Sequence, residues 1–189
     1  IGPHFFSMRI HLTLLLLALF VEAKAVDAIP AFSQVSRILF QGDSITDGNR
    51  GRSLDPNHIL GHGYAFIIAA RHGAAFPERK LDFFNRGVSG NTVLNLETRW
   101  AKDTLALKPD LLSVMIGVND IARNIPDAMI LSNYRRLIDR VQIESPRTQL
   151  IMQSVLPTND EFKPFKNHYG KDDRIRAVNA GMQALCADL

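Results

Sequence analysis

The sequence predicts an α/β fold with a doubly wound parallel sheet, and three observations support this prediction. After Ala28, short apolar runs alternate with longer segments of helical periodicity. A strand, a helix and a second strand in this order form a parallel βαβ unit, so the alternation predicts a parallel sheet. Of the 189 residues, 46% are hydrophobic, which is enough for one domain with a substantial core. Polar turns that contain glycine follow three of the predicted strands, as expected where such sheets bind ligands.

Four strands and four helices are predicted in alternation along the chain. The strands are expected at residues 37–41, 81–85, 111–116 and 149–155. The helices, where apolar residues recur with helical spacing, are expected at residues 64–75, 92–107, 127–144 and 171–189. The third strand is apolar except for Ser113, which is typical of a central strand buried on both faces. A helix in this alternation normally leads into another strand, so we expect the chain to be truncated after its last helix.

The first 28 residues are predicted to be upstream residues and a signal peptide. Met8 begins a short basic start, residues 12–21 form an apolar run, and Ala-Lys-Ala at 23–25 fits the cleavage pattern of exported proteins. The run is about half the roughly 20 residues that span a bilayer, so we expect no stable membrane insertion after cleavage. The protein is therefore expected in the periplasm or outside the cell, with its domain over residues 29–189.

Charge and cysteine content argue against a nucleic-acid-binding protein and against a fold stabilised by internal disulfides. The net charge is +3, and lysine and arginine are scattered rather than clustered with aromatic residues. We therefore expect no nucleic-acid partner. Cys186 is the only cysteine, so an internal disulfide is impossible and the thiol is expected to pack within a helix.

The chemistry is expected at the polar turns that follow the first three strands. These turns are Gly42-Asp43-Ser44, residues 85–91 and Gly117-Val118-Asn119-Asp120. The carboxyl ends of parallel strands lie along one edge of a sheet, so the three turns are predicted to meet in one crevice. A serine on a tight turn at that edge is a candidate nucleophile, provided that a base activates it.

Acyl transfer also needs donors for the oxyanion of the tetrahedral intermediate. The backbone N–H of Ser44, the backbone N–H of Gly90 and the side-chain amide of Asn119 are the candidates. Gly90 has no side chain, so its backbone can approach a substrate closely. The alternative for Ser44 is a helix cap, and the alternative for Gly90 and Asn119 is a purely structural turn.

Three sequence blocks carry a resemblance to a known family. They are GDSIT at 42–46, NRGVSGNT at 85–92 and IGVND at 116–120, each after a predicted strand. In this order they resemble the SGNH, or GDSL-type, hydrolase superfamily. The resemblance implies a flavodoxin-like three-layer α/β/α sandwich and ester hydrolysis without a metal or cofactor. It also implies the roles already argued for Ser44, Gly90 and Asn119. The stretches at 61–64, 77–79 and 91–110 look like the branch that contains the acetylxylan esterases.

One block of that superfamily has no match in this sequence. The late Asp-x-x-His pair is absent, since His168 is the only histidine after Asn119 and Phe165 stands three residues before it. The catalytic His and Asp are therefore missing from the chain, and we expect them beyond the truncation, with the missing last strand. The 189 residues alone are then expected to be inactive, with His168 as a possible substitute base.

Other polar residues near the blocks have structural interpretations. Asp43 and Asp47 are expected to be turn and cap residues rather than catalytic acids. Asp120 is expected to be a cap or an orienting partner rather than a second catalytic group. His62, between two glycines, is expected in a loop that lines the crevice. Trp100 lies on a helical period and is expected in the core or an interface.

The leading hypothesis is an exported serine esterase. It would remove acetyl or other short acyl groups, from a carbohydrate above all, through an acyl-enzyme on Ser44. Its partner would be a small ester or an acetylated glycan. The alternatives are a lysophospholipase or thioesterase of the same superfamily, or a non-catalytic glycan-binding relative. An Asp-x-x-His encoded beyond Leu189 would favour the enzyme, whereas a stop codon there would favour the binding protein.

Overall fold

The computed structural model describes residues 29–32, 36–52, 58–161 and 163–187. The predicted signal peptide lies outside the described residues. Within the described part, no helix is long and apolar enough to cross a bilayer.

Four parallel strands form one sheet in the order β2-β1-β3-β4. Their bounds are Arg37–Gly42 (β1), Asp82–Asn85 (β2), Leu111–Met115 (β3) and Gln149–Met152 (β4). In this register Phe40 of β1 lies between Asn85 of β2 and Ser113 of β3. The strand order is that of the flavodoxin-like doubly wound fold, so the fold class predicted from the sequence is confirmed.

Helices connect the strands and follow the last of them. Their bounds are Ser44–Asp47 (α1), Tyr64–Ala75 (α2), Val93–Thr98 (α3), Trp100–Asp103 (α4), Val118–Ala122 (α5), Asp127–Glu144 (α6) and Asp172–Ala187 (α7). Short 3₁₀ turns occupy Pro30–Phe32, Pro77–Arg79, Leu105–Leu107 and Lys163–His168. Both α2 and α6 have the predicted bounds, because their apolar residues keep one period from end to end.

The single helix predicted over residues 92–107 is wrong. The segment is broken at Arg99, which ends α3 and begins α4, and again at Thr104 before a 3₁₀ turn. The apolar period survives the break, since both Leu96 and Trp100 are buried. Trp100 lies in the core, as predicted, and the break turns the Arg99 side chain toward the end of β1.

Side chains alternate between the two faces of the sheet and make three layers. On one face, Leu39, Leu112 and Val114 join a core to which α3, α4, α6 and α7 contribute. On the other face, the Phe40 ring meets the Tyr64 ring of α2 edge-on, with 5.5 Å between ring centroids. Helices therefore cover both faces of the sheet, and the carboxyl ends of its strands remain available for a site.

Candidate active site

The first and third polar turns meet in one cavity at the carboxyl edge of the sheet. Its volume is about 430 Å³, and its described lining residues are Ser44 and Ile45 of α1, Val118 and Asn119 of α5, and Thr158, Asn159 and His168 after β4. Since β1 and β3 are hydrogen-bonded neighbours, Ser44 and Asn119 follow adjacent strand ends. The second turn lies beside them and reaches Asn119 through a hydrogen bond to its side chain.

Ser44 projects from a tight turn in which the residue type at position 42 is restricted. A Cβ on Gly42 would lie 2.1 Å from the Met115 carbonyl oxygen, so the residue before the Asp-Ser pair must be glycine. Asp43 then caps α1, because its carboxylate accepts a hydrogen bond from the Ile45 N–H at 3.0 Å. Ser44 itself is exposed, and its hydroxyl has no hydrogen-bond partner among the described residues. The predicted nucleophile is thus open to a ligand.

The loop that holds Gly90 uses its neighbouring amides for its own structure. The Val88 N–H donates to the Gly42 carbonyl at 3.0 Å, and the Asn91 N–H donates to the Val88 carbonyl at 3.2 Å. The Ser89 N–H and hydroxyl both donate to the buried Asp47 carboxylate at 2.8 Å. Among the described residues, none accepts a hydrogen bond from the Gly90 N–H.

The backbone conformation of Gly90 also requires glycine. Its φ is +79°, in the left-handed region that side chains disfavour. The Arg123 guanidinium donates to the Gly90 carbonyl at 2.8 Å and holds the peptide that follows. The loop is therefore fixed from both sides while one amide remains available.

Asn119 divides its side-chain amide between structure and the cavity. Its Nδ2 donates to the Asn91 carbonyl at 3.0 Å, which uses one of its two hydrogens. The second hydrogen has no acceptor within the described part of the chain, and the Ser44 backbone N–H has none there either. All three predicted oxyanion donors thus keep an N–H available, although their catalytic roles remain predictions.

Two carboxyl groups are buried beneath the turns and resist ionisation. Burial raises the pKa of Asp43 to about 6, partly offset by the hydrogen bond from Ile45. Burial likewise raises the pKa of Asp120 to about 6, and both of its oxygens accept the Val93 N–H at the start of α3. Asp43 therefore caps α1, as the sequence predicted, while Asp120 orients the first turn of α3, whose own cap is Thr92. At neutral pH both carboxylates place charge in a poorly solvated region.

Asp47 behaves differently, although it is buried too. Burial disfavours its ionised form, but hydrogen bonds from Arg52, Ser89 and Arg50 outweigh this effect and lower its pKa. The charged carboxylate thereby ties α1 to the Ser89 loop, which is a structural role of the kind expected from the sequence.

Arg99 is the structural residue of this region that sequence reasoning missed. Its guanidinium donates to the Gly42 carbonyl at 3.2 Å, the Arg86 carbonyl at 2.8 Å and the Asn91 side chain at 2.8 Å. It also donates to the side chains of Gln41 at 2.9 Å and Asp103 at 3.2 Å. One side chain therefore joins the end of β1 to the loop that holds Gly90. The sequence offers no signal for this role, because an arginine within a helical period is usually solvated.

Of the two histidines that the sequence predicts near this crevice, His62 and His168, only His168 lies there. His168 lines the cavity with Ser44, and its carbonyl accepts a hydrogen bond from the Thr158 hydroxyl at 2.9 Å. The prediction that His62 lines the crevice is wrong. The His62 N–H donates to the Gly48 carbonyl, and the exposed ring lies beside His58, with 5.1 Å between ring centroids.

Comparison with known proteins begins at the level of families. The model of the GDSL-like lipase/acylhydrolase family matches residues 40–189. This range includes the turns that carry Ser44, Gly90 and Asn119.

A curated relative and several solved structures are similar to the chain. An acetylxylan esterase from Geobacillus stearothermophilus is 44% identical over 89 residues, which cover 46% of this chain and 41% of that protein. The matched stretch thus spans less than half the length of the curated relative. LAE5, an α/β hydrolase enzyme from the metagenome of Lake Arreo, Spain, superposes with a TM-score of 0.66 at 28% identity, covering 84% of this chain and 76% of that one.

The acetylxylan esterase Axe2 from Geobacillus stearothermophilus is also similar in structure. A catalytic mutant of Axe2 with an Asp replaced by Ala gives a TM-score of 0.65 at 26% identity, covering 82% of this chain and 73% of that one. A second catalytic mutant of Axe2, with a Ser replaced by Ala, gives a TM-score of 0.63 over the same shares of the two chains.

Proposed function

The chain belongs to the GDSL-like lipase/acylhydrolase family, and from this membership we propose that the protein is a serine esterase that removes acetyl or other short acyl groups from a carbohydrate. One observation carries the proposal. The backbone N–H groups of Ser44 and Gly90 and the second Nδ2 hydrogen of Asn119 have no acceptor among the described residues, and they lie on the turns at the strand ends beside the exposed Ser44 hydroxyl. Preorganised donors without protein acceptors are what stabilisation of an oxyanion requires.

The reaction would proceed in two steps. The Ser44 Oγ bonds to the ester carbonyl carbon while its proton passes to a base, and the carbonyl oxygen becomes an oxyanion held by the three N–H groups. Collapse of this intermediate breaks the bond to the alcohol oxygen, which takes the proton and leaves. Water then attacks the acyl group on Ser44 and releases the carboxylic acid.

The activating base is the part of this scheme that the three turns do not supply. The sequence has no Asp-x-x-His after Asn119. Among the described residues, His168 is the only histidine that lines the cavity. In Axe2, an Asp-to-Ala and a Ser-to-Ala variant are catalytic mutants of that enzyme. This supports Ser44 as the nucleophile here and an acid–base pair as its partner.

The choice of a short acyl group and a carbohydrate rests on the cavity and the relatives. Ile45 and Val118 are the apolar side chains beside the two strand ends, while Thr158 and Asn159 offer polar atoms on the loop after β4. An apolar region next to the nucleophile suits a methyl group, and a polar loop suits sugar hydroxyls. The curated relative is an acetylxylan esterase.

Hydrolysis of 4-nitrophenyl acetate and of acetylated xylo-oligosaccharides by the protein and by Ser44→Ala tests the proposal. Because the site lacks an assigned base, each assay is run with and without added imidazole, which serves as an external general base. Imidazole alone hydrolyses 4-nitrophenyl acetate, so each rate is measured above that of imidazole without protein. We expect Ser44→Ala to abolish this protein-dependent hydrolysis in both conditions, and His168→Ala to lower the rate without imidazole if that ring is the base. Ser154→Ala is the matched control, since this exposed serine lies outside the cavity. Undiminished hydrolysis by Ser44→Ala would refute the assignment of the nucleophile.

A further inference from the structure

A second cavity lies beside β2 and shares none of its described lining residues with the first. Its volume is about 490 Å³. We call it the arginine cavity, and its described lining residues are Arg50, Gly51, Arg52, Ile59, Leu60, residues 82–86 and Asp103. Three arginines and two aspartates thus line it. Whether the cavity attracts anions or cations depends on which of these charges are already paired.

Both aspartates of the arginine cavity are engaged by arginines outside it. The Asp82 carboxylate lies 3.7 Å from the Arg37 guanidinium. The Asp103 carboxylate lies 3.2 Å from the guanidinium of Arg99. Of the three cavity arginines, Arg52 has its own partner, because it pairs with the buried Asp47 carboxylate at 2.6 Å. Within the described part of the chain, Arg50 and Arg86 therefore have no carboxylate partner of their own.

The two remaining guanidiniums keep donors available. Arg50 uses its Nε on the Gly87 carbonyl at 2.8 Å and makes only a long contact, 3.5 Å, from Nη1 to the Gly51 carbonyl. Among the described residues, the Arg86 side chain donates one hydrogen bond, from Nη1 to the Asn85 carbonyl at 3.2 Å. Its guanidinium lies over the Phe84 ring, 5.6 Å from the ring centroid.

The surroundings of Arg50 are electrostatically unfavourable to its charge. Burial lowers the pKa of Arg50 to about 10, and the nearby charges of Arg52, Arg86 and Arg99 act in the same direction, against the opposing effect of Asp47. A bound anion would relieve this repulsion, whereas a neutral ligand would not.

We propose that the arginine cavity binds the carboxylate of a sugar acid, with Arg50 and Arg86 as the donors. A guanidinium is a planar fork that matches a carboxylate, so two of them with unused N–H groups select that ion. Ile59, Leu60 and Phe83 supply apolar walls against which the faces of a sugar ring can pack. The proposal rests on the proposed function only in assigning the carboxylate to a sugar. It adds that the carbohydrate substrate contains an acidic sugar unit.

Binding of glucuronate, glucose and acetate to the Ser44→Ala protein tests this proposal by titration calorimetry. The test uses no hydrolysis, so its failure would leave the proposed esterase activity untouched. We expect glucuronate to bind, glucose to show no binding, and acetate to bind at least about tenfold more weakly than glucuronate, because it lacks the ring. Removal of one charged donor in Arg86→Gln should weaken glucuronate binding by about tenfold to a hundredfold.

Two further variants separate charge from geometry and from chain-wide effects. Arg50→Lys keeps the charge but loses the fork, so it should weaken glucuronate binding less than Arg50→Gln. Arg147→Gln removes an exposed arginine just before β4, at the other edge of the sheet, and should leave binding unchanged. The proposal is overturned if glucuronate does not bind, if glucose binds equally well, or if Arg147→Gln weakens binding as much as Arg86→Gln. Equal binding of acetate and glucuronate would overturn the assignment to a sugar.

Discussion

Replacement of Asp43 by Asn should remove a large part of the pH dependence of folding stability. The Asp43 residue is 1% exposed, one of its carboxylate oxygens has no hydrogen-bond partner in the described structure, and burial raises its pKa to about 6. Asn is as good a helix cap as Asp and carries no charge, so Asp43→Asn keeps the bond to the Ile45 N–H and abolishes the titration.

The sign and size of the effect follow from the two pKa values of Asp43. The pKa is 3.8 in the reference state and about 6 in the folded protein, so between these values the folded state binds more protons. Stability contributed by the neutral carboxyl is therefore fully present below pH 3.8 and is lost as the pH rises through about 6. A shift of about two pKa units corresponds to about 3 kcal/mol of unfolding free energy.

Urea unfolding at pH 4 and pH 8, followed by fluorescence of the buried Trp100, measures this quantity. The wild-type protein should lose about 2.5 kcal/mol more between the two pH values than Asp43→Asn does, slightly less than the full effect because the unfolded carboxyl is already partly ionised at pH 4. A pH-independent cost of burying the new amide cancels in this comparison. Asp120 continues to titrate near pH 6 in the variant, so some pH dependence remains.

A matched control separates burial from the loss of one acidic residue. Asp173, whose side chain is 96% exposed, is replaced by Asn in the control. Asp173→Asn should follow the wild-type pH dependence. Parallel stability curves for wild type and Asp43→Asn would show that the Asp43 carboxyl is well solvated and would refute the reasoning.

Two further substitutions test the packing around the site by urea unfolding. Gly117→Ala should lower the free energy of unfolding by about 2 kcal/mol or more, because φ is +118° and the new Cβ would lie 2.5 Å from the Tyr134 hydroxyl. Gly73→Ala is the control: it lies on α2, nothing packs within 4 Å of the new Cβ, and it should raise the free energy of unfolding by about 0.5–1 kcal/mol. Arg99→Met should lose about 3 kcal/mol, since several buried acceptors lose a charged donor, and Arg99→Lys should lose less. A Gly117→Ala variant as stable as Gly73→Ala, or an Arg99→Met variant as stable as wild type, would contradict the packing described.

The sequence predicted those parts of the site that depend on strand ends. Ser44 and Asn119 meet because β1 and β3 are neighbours, and parallel topology alone puts their carboxyl ends together. The family resemblance based on the three blocks is confirmed by the match over residues 40–189. The link that Arg99 makes between the Gly90 loop and β1 was not predictable, because its acceptors on β1 lie 57 and 58 residues away in the chain.

The apolar periodicity also failed to predict where a helix ends, because buried positions continue on both sides of the break in the backbone. The period through Leu96 and Trp100 predicts one helix, yet the backbone turns between them. Periodicity reports which side chains are buried and not whether the hydrogen-bond ladder is continuous. In the same way, the raised pKa of Asp43 depends on the depth of its burial, which a Gly-Asp-Ser motif does not encode.

The bonds of Arg99 have a consequence for the order of folding. Contacts between residues nearly 60 positions apart form only after the intervening chain has been brought together, and such contacts slow the search for the native state. A partly folded chain with α2 and α6 already helical would therefore still lack the arrangement of Ser44 and Gly90. The donors of the site would then come into register only with the final steps of folding.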